Sequence, residues 1–172
     1  MSTQIFLYLD IQGTAIKGEA TAGGYEDEIE VERFGWGMSS ETGCKASASK
    51  ALSNISYKRL TITKLYDTAS TNLARYLTRG ARFDQAVLSI DHHVLPTGSK
   101  KKPNPSMVIE LRDGFIEEVR LSMSESGKSA AINEDISLSF SKINILYFPT
   151  GVDRDVRQAP VSFEARVPVD KL

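Results

Sequence analysis

Apolar residues in this chain recur at every second position, in short runs cut by turn residues, and that alternation restricts it to a fold built mainly of strands. Ile5, Leu7, Leu9 and Ile11 share one face of a first strand, Ile5 to Ile11. A turn at Gln12-Gly13 leads to a short strand near Ile16 to Glu19, and then to a loop through Gly23-Gly24. Tyr25 to Ser39 predicts one long strand whose phase slips: Ile29 and Val31 lie on one face, Phe34 and Trp36 on the other. A straight strand cannot bury both sets, because successive side chains point to opposite faces. One extra residue near Glu32-Arg33 restores the phase, which predicts a β-bulge there. The same slip separates Ile136, Leu138 and Phe140 from Ile143, Ile145 and Tyr147. Two long bulged strands imply bent antiparallel sheets that close into a β-barrel.

Other segments fill in around this frame. Residues 40–54, SETGCKASASKALSN, are small and polar and predict a long loop. Tyr57 to Tyr66 predicts a strand with Leu60 and Ile62 on one face. Ser70 predicts the start of one flanking helix, about residues 70–79, with its hydroxyl capping the first turn and Leu73, Tyr76 and Leu77 at helical spacing. Arg79 and Gly80 suit its C-terminal end. Asp84 to Val94 returns to strand, with Ala86, Leu88 and Ile90 inward, and Pro96 to Pro105 is a loop. Met107 to Leu111 and Phe115 to Met123 are strands separated by Asp113-Gly114, which fits either a hairpin turn or a bulge inside one strand. In the polar tail after Pro149, Val161, Phe163 and Val167 are spaced like a terminal strand.

A chain of 172 residues suits one domain. With 21 basic against 22 acidic residues, it has no general field for nucleic acid or anionic lipid. The single cysteine, Cys44, rules out an internal disulfide and a Cys-rich zinc site, and reads as a reduced thiol in a cytoplasmic fold. The opening MSTQIFLYLDIQG has no basic region ahead of its short apolar stretch, and no segment approaches the ~20 apolar residues that span a bilayer. The expectation is a protein assembled in the cytoplasm which, if it leaves the cell, does so without a cleaved signal peptide.

Tests for chemistry fail along the whole chain. SESGKSA, residues 124–130, has Ser122 where a phosphate-binding loop needs its first glycine, and a strand follows where that loop needs a helix. His92-His93, the only histidines, point to opposite faces of a strand and lack metal-ligand spacing. No GxSxG elbow accompanies them. Glu26, Asp27, Glu28, Glu30 and Glu32 could pair as glycosidase carboxylates, but Glu28, Glu30 and Glu32 fall on the side away from Ile29 and Val31, as a solvated face does. Lys100, Lys101 and Lys102 read as an exposed loop tip. No catalytic, cofactor-binding or metal-binding residues are assigned, and the chain is not expected to be an enzyme. Gly35 and Gly37 flank Trp36, itself read as core. Their bare faces suit a lumen wall or a close subunit contact, or else relieve strain beside the bulge.

Five strings in order resemble the Hcp family of type VI secretion tube proteins. They are IFLYLDIQG with IKGEA near the start, EIEVERFGWGMS (28–39), LTITKLYDTASTNLARYLTRG (60–80), VIELRDGFIEEVRLS (108–122) and EDISLSFSKINILYFP (134–149). The 40–54 loop departs from the Gly-rich character of relatives, and the tail after Pro149 has no clear counterpart. The resemblance implies one Hcp-like domain over residues 1–172, its barrel spanning about 5–149 with a C-terminal extension from 150. It favours one kinked strand through Asp113-Gly114. It also implies hexameric rings stacked into a hollow tube, ejected by a contractile sheath, tipped by a VgrG-like spike and able to carry effectors in the lumen. The alternatives are a tail-tube protein of a phage or related contractile machine, and a small-ligand-binding β-barrel.

Overall fold

The alternation becomes a run of antiparallel strands: β1 (Gln4–Ile11), β2 (Thr14–Ala15), β3 (Ile29–Val31), β4 (Arg33–Gly35), β5 (Met38–Ser40), β6 (Ile55–Tyr57) and β7 (Leu60–Leu65). After helix α1 (Ser70–Thr78) come β8 (Arg82–Asp91), β9 (Met107–Ser126), β10 (Ser129–Tyr147) and β11 (Val161–Arg166). The structure, a computed structural model, describes residues 3–40, 55–101, 103–126, 129–149 and 158–168. Cys44, Lys102 and the loop expected at 40–54, apart from Ser40 at the end of β5, lie outside the described residues.

Hydrogen-bonded neighbours run β2–β1–β8–β9–β10–β7–β4, with β11 added beside β10 and β3 beside β1. The long strand expected over Tyr25 to Ser39 is therefore three short ones. Ile29–Val31 pair with β1, Arg33–Gly35 pair with β7, and Met38–Ser40 pair with β6 in a separate two-stranded sheet. The phase slip falls where the sequence places it. Its cause is a change of partner at Glu32, whose amide donates to Thr63 O at 2.8 Å, rather than a bulge within one ladder. Through this segment the two ends of the strand path are joined, so the sheet rolls round onto itself.

The second slip belongs to three strands at once. Phe83 and Ala86 of β8 are both buried, as are Leu111 and Gly114 of β9 and Phe140 and Ile143 of β10. Pairing passes over Asp84, Asp113 and Ser141, which mark a line of kinks across the sheet. Asp113 takes φ +53° while Gly114 stays at negative φ, so Asp113-Gly114 does not form the two-residue turn that needs both residues positive. β9 continues through it as one strand, as the resemblance implied. A separate register shift lies between Ser137 and Leu138, where Glu117 of β9 is the extra residue.

Other boundaries differ for local reasons. The tight turn at Gln12-Gly13 returns the chain at once, so the second strand is Thr14–Ala15 and not Ile16 to Glu19. Tyr57 to Tyr66 divides into β6 and β7 at Lys58-Arg59. Ala69, not Ser70, is the N-cap residue, and it makes no side-chain cap bond. The hydroxyl of Ser70 is turned instead into a buried network described below. At the far end Gly80, at φ +59°, donates to Leu77 O and Ala81 donates to Tyr76 O, closing the last turn in a Schellman arrangement.

One apolar core lies inside the roll. Leu9, Ile29, Leu60, Phe83, Leu88, Leu111 and Ile143 are fully buried, and Leu73 brings α1 onto it. Each such side chain contributes about 1.5–3 kcal/mol of transfer free energy. Val167, just beyond β11, is part of this core, and its amide donates to Ser141 O of β10 at 2.8 Å. A smaller cluster outside β1 stacks Phe6 on Tyr25, with ring centroids 4.3 Å apart. Among the described residues no helix is long and apolar enough to cross a membrane.

Candidate functional site

Strand β4 places Phe34 opposite Ile62 on the core side, which leaves Gly35 opposite Thr61 on the other face. After β4 the chain turns into the β5–β6 hairpin, and Lys58 N–H donates to Gly37 O at 2.9 Å. Between the outer face of the sheet and this hairpin lies an open groove of about 610 Å³. Its floor is made of small residues, Gly35, Thr61 and Ser137. Its walls include Trp36, Met38 and Tyr57, with Lys58 and Arg59 at the rim. Arg59 leans toward Glu117 at 3.8 Å, and Ser139 Oγ donates to the same carboxylate at 2.8 Å.

Neither glycine of the groove is required by packing among the described residues. Both have negative φ, and among the described residues a Cβ on Gly37 would find nothing closer than Lys58 Cδ at 4.0 Å. A Cβ on Gly35 would meet only Thr61 Oγ1, at 3.2 Å, and that hydroxyl can rotate. Strain relief therefore does not account for them; their effect is a bare groove floor. Trp36 is half-buried rather than enclosed in the core. It packs at its edge against Phe163 of β11, with centroids 6.3 Å apart, and its indole Nε1 is buried with no acceptor among the described residues.

A second polar constellation is wholly internal. Lys64 Nζ, with three N–H groups, lies within hydrogen-bond distance of four acceptors: Glu134 Oε2 at 2.9 Å, Asp67 Oδ1 at 2.7 Å, Ser70 Oγ at 2.9 Å and Leu65 O at 2.8 Å. Ser70 Oγ donates in turn to Glu134 at 2.7 Å. The Ser–Lys contact resembles a nucleophile beside its base, but Lys64 and Ser70 are cut off from solvent and the ammonium is held between two carboxylates. Its role is to fasten α1 to β7 and β10. The signal that could have found it is phase: Lys64 continues the inward face of Leu60 and Ile62, and Glu134 that of Ile136 and Leu138, so each is a charge on a core face that needs a partner.

The remaining sequence candidates stay apart. His92 and His93 are both exposed in the bend after β8; His92 Nδ1 lies 2.8 Å from Thr3 Oγ1, and the His93 amide donates to Asp91 Oδ1. Lys100 and Lys101 are exposed, as read. β9 ends at Ser126 and pairs directly with the start of β10 at Ser129, so a strand and not a helix follows residues 124–130. Glu30 and Glu32 face solvent as expected, but Glu28 is half-buried. Burial, with Glu26 close by, pushes its carboxyl up to about 7. Burial and the neighbouring Asp10 also raise the Tyr8 hydroxyl. Among the described residues no three His, Cys, Asp or Glu side chains group as metal ligands.

The family model described as type VI secretion system effector, Hcp, matches residues 8–147. No curated protein matches the chain by sequence. Among solved structures the chain is similar to the crystal structure of Hcp1 from Salmonella typhimurium, at 26% identity and a TM-score of 0.70, over 96% of this chain and 95% of that one. It is also similar to a type six secretion system protein (TM-score 0.77, 18% identity, 99% of each chain) and to the secreted protein Hcp3 from Pseudomonas aeruginosa. The Pseudomonas match has a TM-score of 0.63 and 17% identity, covering 96% of this chain and 100% of that one.

Proposed function

Since the chain belongs to the Hcp family of type VI secretion proteins, we propose that it is a structural tube subunit of such a system. In this reading hexameric rings stack into a hollow tube, which a contractile sheath ejects behind a VgrG-like spike with effectors in its lumen. The tube assembles in the cytoplasm and leaves the cell through the machine itself. The match along residues 8–147 carries the reading.

Two features of the surface support it. A closed ring of identical subunits needs two different patches on each, one meeting the other on the next copy. Leu121, Met123 and Ile132 form an exposed apolar face near the β9–β10 turn. Tyr147, Val161 and Phe163 form another at the opposite end of β10, where β11 is an edge strand. The glycine-floored groove is the second feature: Gly35 and Gly37 leave room for a neighbouring backbone or a smooth lumen wall. As a tube subunit its role in this reading is structural, and no catalytic step is part of the proposal.

Negative-stain imaging with light scattering tests this directly. Six-membered rings are expected, and a particle that stays monomeric at high concentration would overturn the tube reading. Gly37→Leu separates fold from assembly. Its melting temperature should stay near wild type, while rings or stacks are lost if the groove is a contact and persist if it faces the lumen.

A further inference from the structure

We propose that residues 16–28 form a pH-dependent clasp over the outer face of β1, closed while Glu28 is neutral and loosened when it ionises. The inference is independent of ring assembly.

The clasp is held by backbone bonds. Gly18 N–H donates to Asp27 O at 2.7 Å, Ala20 N–H to Glu28 O at 3.0 Å, and Asp27 N–H to Ala20 O at 3.0 Å. Gly18 is needed there, since a Cβ would overlap the Glu28 carbonyl. The closed segment covers Phe6 with Tyr25, whose hydroxyl donates to Asp91 Oδ2 at 3.0 Å. Glu19 Oε1 accepts from the Thr68 amide at 3.0 Å, tying the clasp to the turn before α1.

Closure leaves two carboxylate oxygens, Glu28 Oε2 and Asp10 Oδ1, buried with no hydrogen-bond partner among the described residues. By contrast, the fully buried Asp91 carboxylate accepts from both Tyr25 and His93. The titratable groups around Glu28 are Glu26 on its own segment and Tyr8 of β1, which in turn bonds Asp10 at 3.4 Å. The clasp's one cation, Lys17, is exposed and sits 3.7 Å from Asp27. An ionised Glu28 thus meets burial and like charge with no paired cation among the described residues, which pushes its carboxyl up to about 7. Opening the clasp returns that carboxyl to water, so ionisation favours the open form.

Amide exchange at Gly18 and Ala20, corrected for intrinsic rates, tests this at pH 5.5 and 8.5. A carboxyl that titrates near 7 when closed and 4.5 when open shifts the opening equilibrium by up to about 30-fold over that range. Wild type should lose about 10- to 30-fold protection, and Glu28→Gln should lose less than about 3-fold. Equal losses in both proteins would overturn the clasp. If Glu28→Gln does not fold, the carbon chemical shift of the Glu28 carboxyl in wild type decides. A midpoint near 7, moving down in Glu26→Gln, supports the proposal, and an ordinary carboxylate midpoint refutes it.

Discussion

Lys64 Nζ and Glu134 Oε2 lie 2.9 Å apart with both side chains removed from solvent, joining the end of β7 to β10. A buried pair attracts strongly, but its members also lose hydration, so the damage comes mainly from leaving one of them alone. Lys64→Met strands two carboxylates and should cost about 3–5 kcal/mol in denaturant unfolding. Lys64→Met with Glu134→Leu should cost less than the single change. A double variant as unstable as the sum of the two singles would show that the pair is not coupled.

Glu28 should make stability fall with rising pH. Its folded midpoint, about 7, lies above the ordinary 4.5, so the native state binds the extra proton between those values. The contribution is fully present below about 4.5 and is lost as pH rises through 7. Glu28→Gln should melt higher than wild type at pH 8 and nearly level with it at pH 4.5. Melting curves across that range check the sign.

Phe140 and Trp36 should behave differently despite both being large rings on alternating runs. Phe140 is fully buried, so Phe140→Ala should cost about 3–5 kcal/mol. Trp36 is half-buried beside Phe163, and Trp36→Ala should cost about 2 kcal/mol, below the range for an enclosed ring. In a double-mutant cycle with Phe163→Ala the pair should couple by about 0.5–1.5 kcal/mol.

Gly114 marks the place where the kinked sheet is tightest. A Cβ there would overlap the Ser139 carbonyl and press on the Phe83 ring, so Gly114→Ala should unfold the chain or lower its melting temperature sharply. Gly37→Ala, with no described residue nearer its Cβ than 4.0 Å, should leave melting unchanged. Calorimetry on the two variants distinguishes a glycine required by packing from one that only shapes a surface.

Much of this was legible along the chain. Period two exposed the strands, because one face of each must be buried, and the slips at Glu32 and near Ser141 marked where the geometry had to change. Family strings located the secretion reading. Ser70 shows the limit of local reasoning: its position suggested a cap, yet a lysine six residues earlier and a glutamate sixty-four residues later claim its hydroxyl. Glu28 shows the same limit: its strand phase pointed outward, yet the segment that carries it folds onto the outer face of β1 and buries one of its carboxylate oxygens.

By itself the sequence determined a strand-built fold, its inward faces, the places where phase is lost and the family, because alternation and ordered strings are local properties. Tertiary structure alone decided that the slip at Glu32 is a change of partner and that three strands kink together at Asp84, Asp113 and Ser141. It also decided that Lys64 and Glu134 meet. Each of these depends on which distant backbone lies alongside, and no pattern within one strand encodes its neighbour.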